Sequence, residues 1–124
     1  MSAAEFKTLR EAVGLSISTL VKVIDVDERS IRKWESGKKK VPQDVFDQIV
    51  AIDALISNTA QAEIEKFKAA PQDAVILYRF IDEDDLHEHH PEFIGLPIMS
   101  YGAMIYRLRQ KYLDLGVAVT VEYK

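Results

Sequence analysis

Residues 15–42 read LSISTLVKVIDVDERSIRKWESGKKKVP, and their spacing predicts two short helices joined by a tight turn. Ser16 suits the N-cap of the first, because its hydroxyl can accept from the free backbone N–H groups of the opening turn. Leu15 before it and Leu20 after it can close a hydrophobic staple that sets the angle at which the chain enters. Leu20, Val23 and Ile24 recur at helical spacing and form the inward face. At Asp25 the chain must turn, and Asp is among the few residues besides Gly that tolerate a left-handed backbone.

Asp27 can cap the second helix, with Val26 as the apolar residue before the cap. Ile31 and Trp34 share one face, while Glu28, Arg29, Arg32, Lys33 and Ser36 occupy the others. Trp34 is therefore a core anchor rather than a stacking platform. Gly37 supplies the stop, and Pro42 suits the start of the next helix, where its missing N–H costs nothing.

The charge distribution gives the polar face of the second helix its meaning. The whole chain carries −4, which is the wrong sign for a nucleic-acid binder. Divided at residue 47, however, the first part has nine Lys and Arg against eight Asp and Glu, and the second has seven against twelve. From Arg29 to Lys40 there are six basic residues and one acidic. Affinity for phosphate follows such a local patch, since each neutralised phosphate releases counterions. Arg29 and Arg32 can each present a bidentate fork to guanine, worth about 1–3 kcal/mol of discrimination. Lys33, the third base-reading candidate, and Ser36 suit phosphate equally well. Ser16, Ser18, Lys38, Lys39 and Lys40 are candidates for the DNA backbone, holding register without reading sequence. Taken alone, these charges also suit a solvated helix face, and Glu28, which can accept from a cytosine amine, better suits the positive end of the helix dipole.

The motif context turns that balance towards DNA. Gly14-Leu15-Ser16, Ile31, Trp34-Glu35-Ser36-Gly37 and Pro42 resemble the helix-turn-helix of the Cro and phage-repressor superfamily. The resemblance implies that Arg10 on the preceding helix pairs with Glu35, so that Arg10, Ile31, Trp34, Glu35 and Gly37 form the scaffold of the motif. Over the whole chain, with Glu5, Leu9 and Arg10 at the N-terminus, the sequence resembles anti-CRISPR-associated repressors and related small helix-turn-helix proteins of unassigned function. That likeness implies an Arg at the place of Arg29, which makes Arg29 the first choice for base reading. Three positions depart from the superfamily pattern. Ile17 stands where a Gln often holds the DNA backbone, Val21 where a small Ala is usual, and Asp25 where the turn usually has Gly.

Outward from this segment, residues 3–13 predict a first helix with Phe6, Leu9, Ala12 and Val13 inside and Gly14 as its stop. From Pro42 to about Ala69 apolar residues recur at threes and fours: Val45, Phe46, Ile49, Ile52, Leu55, Ile56, then Ile64 and Phe67. An unbroken helix here would reach roughly 40 Å and need cover from the C-terminal part or a second chain. A break at Ser57-Asn58-Thr59 is the alternative, because these side chains compete for backbone bonds. Residues 74–80 (AVILYRF) have strand character. Asp82 can cap a short acidic helix to about His90, and Ser100 a helix closed by Gly116. Val117, Val119, Val121 and Tyr123 alternate with Ala118, Thr120, Glu122 and Lys124, as in a half-buried strand.

The fold class expected is mainly α with a small α+β tail. A helix-turn-helix domain of four to five helices covers 1–56, the rest of a long helix and a linker cover 57–72, and a two-stranded dimerisation or partner-binding part covers 73–124. Two strands make a marginal sheet alone, so they pair within the chain against helices or with a second copy.

The absence of cysteine removes disulfides and thiolate metal sites. No apolar run reaches the ~18 residues of a membrane helix and no signal peptide opens the chain, which points to a cytoplasmic protein without membrane contact. His87, His89 and His90 lie among acidic residues, but their spacing is poor for a metal, and neither a metal nor a cofactor is expected. With no phosphate loop, serine elbow or framed carboxylate pair, an enzyme is not expected either. The function indicated is a dimeric, self-regulating repressor reading a pseudo-palindrome in double-stranded DNA. The rival is an antitoxin-like module whose acidic 82–92 segment and α+β tail grip a protein partner.

Overall fold

In a computed structural model describing residues 1–124, the chain forms six α-helices and one pair of parallel strands. Helix α1 (Ala3–Ala12) opens where the Ser2 hydroxyl accepts from the Glu5 N–H. Helix α2 (Ile17–Ile24) is capped by Ser16, whose Oγ accepts from the Thr19 N–H at 3.1 Å. Asp25 then takes a left-handed φ of +54° and turns the chain. Helix α3 (Glu28–Glu35) departs from expectation at its start. Asp27 makes no cap hydrogen bond; its Oδ1 accepts from the Ser30 hydroxyl at 2.6 Å, which holds the carboxyl below its ordinary value. Asp27 still holds the N-cap position with extended backbone, but its carboxylate engages the Ser30 hydroxyl rather than a backbone N–H.

Helix α4 (Gln43–Ala69) runs 27 residues without interruption, so the break at Ser57-Asn58-Thr59 does not occur. Ile56 and Ala60 on either side are fully buried. The Ser57 hydroxyl accepts from Arg107 Nη1 at 2.8 Å, which gives it a tertiary partner in place of its own backbone. Strand β1 (Ala74–Arg79) follows, then α5 (Glu83–His89), capped by Asp82, and a single 3-10 turn (Pro91–Phe93).

Helix α6 (Ile98–Asp114) begins two residues before the cap expected at Ser100. The Ile98 N–H donates to Glu83 Oε1 at 3.2 Å, while the buried Ser100 hydroxyl donates to the Val13 carbonyl at 2.8 Å. Pro97 brings no N–H of its own, and α5 supplies the acceptor. Strand β2 (Ala118–Tyr123) closes the chain.

The strands pair in parallel within one chain, from Ala74 against Ala118 to Arg79 against Tyr123, with α5 and α6 in the crossover that parallel pairing requires. The expected half-buried pattern of β2 holds only near its start. Val119 is partly covered, but Val121 and Tyr123 are 40% and 67% exposed. The apolar face of this strand runs out of cover towards its end.

One cluster of 25 buried apolar residues extends from Phe6 to Val117. Helix α6 covers the second half of α4, so that half finds its cover in its own chain. Arg107 fastens the arrangement, with Nη1 at 2.8 Å from Asp53 Oδ1 and Nη2 donating to the Ala12 carbonyl at 3.1 Å. Gly14, at φ +74°, lets α6 approach so closely that an added Cβ would strike the Met99 carbonyl.

Candidate nucleic-acid interface

Helix α3 has one fixed face and one free face. Ile31 is fully buried, and Trp34 is also buried, its ring edge-on to Phe6 at 5.9 Å between centroids. At the end of the helix Glu35 accepts from Arg10 Nε at 2.6 Å and from Nη2 at 2.9 Å. Arg10 Nη1 donates to the Leu15 carbonyl at 2.8 Å. One guanidinium thus ties α1, the entry to α2 and the end of α3, and its hydrogen bonds to Glu35 raise the Arg10 pKa above its ordinary value.

Beyond α3, Gly37 takes φ +80°, and nothing lies within 4 Å of where a Cβ would stand. Glycine serves here for its backbone freedom alone. The Lys39 N–H donates to the Lys33 carbonyl at 3.2 Å, and Val41 is buried. The lysine loop is therefore held at both ends while Lys38, Lys39 and Lys40 stay exposed.

On the free face Glu28, Arg29, Arg32, Lys33, Ser36 and Lys38 line one open groove that contains no apolar residue. The fold brings together all three base-reading candidates and two backbone candidates. Lys39, Lys40, Ser16 and Ser18 lie outside the groove. Ser16 is already engaged as the α2 cap, and its hydroxyl is also 3.1 Å from that of Ser18.

Glu28, assigned from sequence to the helix dipole, also pairs with Arg32. Arg32 Nη2 and Nε donate to Glu28 Oε1 at 2.6 and 3.2 Å, with both side chains more than half exposed. The i, i+4 spacing carried that signal. An exposed pair of this kind contributes about 0–1 kcal/mol, so a phosphate or base can take the guanidinium at small cost. Arg107 was not singled out from sequence, because its partners Asp53, Ser57 and Ala12 are far from it along the chain.

The three histidines go to separate partners. His87 Nε2 lies 3.1 Å from the Leu96 carbonyl, His89 Nδ1 2.9 Å from the Asp85 carbonyl, and His90 between Glu92 and Tyr101. No three His, Asp or Glu side chains come together in a set that could hold a metal ion. No helix is long and apolar enough to cross a membrane. No protein-family model matches the chain, and no curated protein matches it.

Proposed function

We propose that this protein is a sequence-specific regulator of transcription that binds double-stranded DNA as a dimer. In this reading α2 and α3 form a helix-turn-helix of the Cro and phage-repressor type, and α3 enters the major groove. The observation that carries the reading is the division of α3. One face is locked by Ile31, Trp34 and the Arg10–Glu35 pair, and the other presents Arg29, Arg32, Lys33, Ser36 and Lys38 along a single groove without apolar lining. A helix fixed in orientation can place forked side chains on base edges reproducibly, which sequence reading requires.

Arg29 and Arg32 read bases, and the lysine loop holds phosphate. The acidic remainder of the chain disfavours loose contact with DNA, so binding is concentrated on this face. Dimerisation is supported by the uncovered end of β2 and the two unpaired edges of the sheet, which a second copy would cover. Repression follows from occupancy of a promoter site, including that of the protein's own gene.

Footprinting the purified protein on DNA upstream of its gene tests the reading. Protection of an inverted repeat with half-sites about one turn apart (~34 Å) is expected. Arg29→Ala should relax preference at one base position, whereas Lys39→Ala should weaken all sequences alike and flatten the salt dependence by about one unit of slope. Equal losses on operator and random DNA for both variants would refute these assignments. Uniform weak binding to all DNA would move the function to the C-terminal part and a protein partner.

A further inference from the structure

A cleft of about 290 Å³ opens between α4, β1, the end of α5 and α6, and none of its residues lines the basic groove of α3. Its floor is apolar, formed by the buried Leu77, Met104, Ile105 and Leu108. Aromatic rings form its walls. Tyr101 meets Phe80 at 5.7 Å edge-on and His90 at 4.9 Å between centroids.

Polar groups converge on the Tyr101 wall. Glu92 Oε1 is 3.2 Å from His90 Nδ1, and His90 Nε2 is 3.3 Å from the Tyr101 hydroxyl. A carboxylate at Nδ1 favours the tautomer whose Nε2 accepts from the phenol. Glu63 of α4 and, at the rim, Lys124 also line the cleft. Both carboxylates, Glu63 and Glu92, line the cleft, and their charges add to burial, the larger cause, in pushing the Tyr101 phenol up to about 12.

Two cations lie nearby, and one of them, Lys124, belongs to the lining. Lys66 reaches Glu63 at 3.3 Å but is 75% exposed, and an exposed pair is well screened. The Lys124 ammonium lies 4.9 Å above the Tyr78 ring at the rim, where it already uses an aromatic face as a cation site. Glu92 has only the His90 imidazole beside it.

We propose that this cleft binds a small organic cation, with an apolar or aromatic body against Leu77, Ile105 and Leu108 and its ammonium group directed at Glu63, Glu92 and the aromatic faces. The volume, at the low end of the ~300–1,000 Å³ typical of ligand pockets, limits the occupant to a small molecule. An anion of the same shape meets two carboxylates against the one ammonium of Lys124 at the rim, and is disfavoured. The proposal is independent of DNA binding. Helix α6 carries most of the floor of the cleft and the Ser100 and Arg107 contacts that hold the end of α1 and Val13 after it, so the ligand rests on the helix joining the two parts of the molecule.

The test is a titration of the full ¹⁵N-labelled chain with benzyltrimethylammonium and, separately, with phenylacetate, followed by NMR. Benzyltrimethylammonium should give saturable shifts centred on Tyr101, Met104 and Leu108 at roughly millimolar affinity, as befits so small a probe. Phenylacetate should bind at least about tenfold more weakly. The double variant Glu63→Gln, Glu92→Gln alters two partly exposed side chains and should lower affinity for the cation by roughly tenfold, with the rest of the spectrum unchanged. Shifts that do not saturate, equal affinity for the two probes, or unchanged affinity in the double variant would each overturn the proposal.

Discussion

Replacing Glu35 with Ala would strand the Arg10 guanidinium in a nearly dry site. The two side chains are only 10% and 9% exposed, and Arg10 would keep a single protein acceptor, the Leu15 carbonyl. Removing one partner of a buried ion pair costs about 3–5 kcal/mol, because the other charge is left buried and unpaired. The surviving bond to Leu15 and the residual access to water place this case near the lower end, at about 3 kcal/mol. With an unfolding entropy of ~2.1 cal/mol/K per residue, 124 residues give about 260 cal/mol/K, and the melting temperature should fall by about 12 °C. Urea unfolding of the variant should show a lower midpoint at unchanged slope. The effect should change little between low and high salt, since buried pairs are weakly screened. The double variant Arg10→Met, Glu35→Leu should recover most of the loss, as an apolar pair of similar volume removes both charges together. A loss below about 1 kcal/mol for Glu35→Ala, the scale of an exposed pair, would refute the view that this ion pair locks α3.

Two glycines with similar backbones should respond differently to alanine. At Gly37 only the positive φ is strained, costing about 1–2 kcal/mol, whereas at Gly14 the added Cβ also strikes the Met99 carbonyl, for a total of about 3 kcal/mol or more; urea melts of both variants check the order. Tyr101 predicts alkaline weakening. Its folded-state value, about 12, lies above the ~10 of an unfolded tyrosine, so its contribution is complete below pH ~10 and is lost as pH rises through about 12. Tyr101→Phe should remove that part of the pH–stability curve, and an unchanged curve would count against burial of the phenol. Glu28→Gln should alter stability by no more than about 0.5 kcal/mol while tightening DNA binding in gel-shift assays, since it frees the Arg32 fork and removes an acidic group from the groove.

The order of helices in the first 42 residues was legible because its determinants are local. The Ser16 cap, the left-handed turn at Asp25, the shared face of Ile31 and Trp34 and the stop at Gly37 each involve residues within about one helical turn of one another. The cluster of Arg29, Arg32 and Lys33 was legible for the same reason, since one helix carries all three. The Arg10–Glu35 pair spans 25 positions and was expected only through resemblance to a known motif. Local reasoning placed Asp27 at the N-cap of α3 but not its hydrogen bond, left a break at Ser57-Asn58-Thr59 open where α4 is continuous, and started α6 two residues late. In each, a side chain found another partner: Ser30 for Asp27, Arg107 for Ser57, and the Val13 carbonyl for Ser100, which lies 87 positions away.

By itself, then, the sequence determined what depends on neighbours along the chain: which residues form helices and strands, where most of them stop, and which face of α3 is basic. The tertiary structure alone decided the parallel pairing of β1 with β2, the cover that α6 provides for the second half of α4, and the cleft that brings Glu63, Glu92 and Tyr101 together. These features join residues tens of positions apart. Their stability comes from burying the apolar faces of α4, α6 and the sheet against one another, and no local spacing records which distant faces will meet.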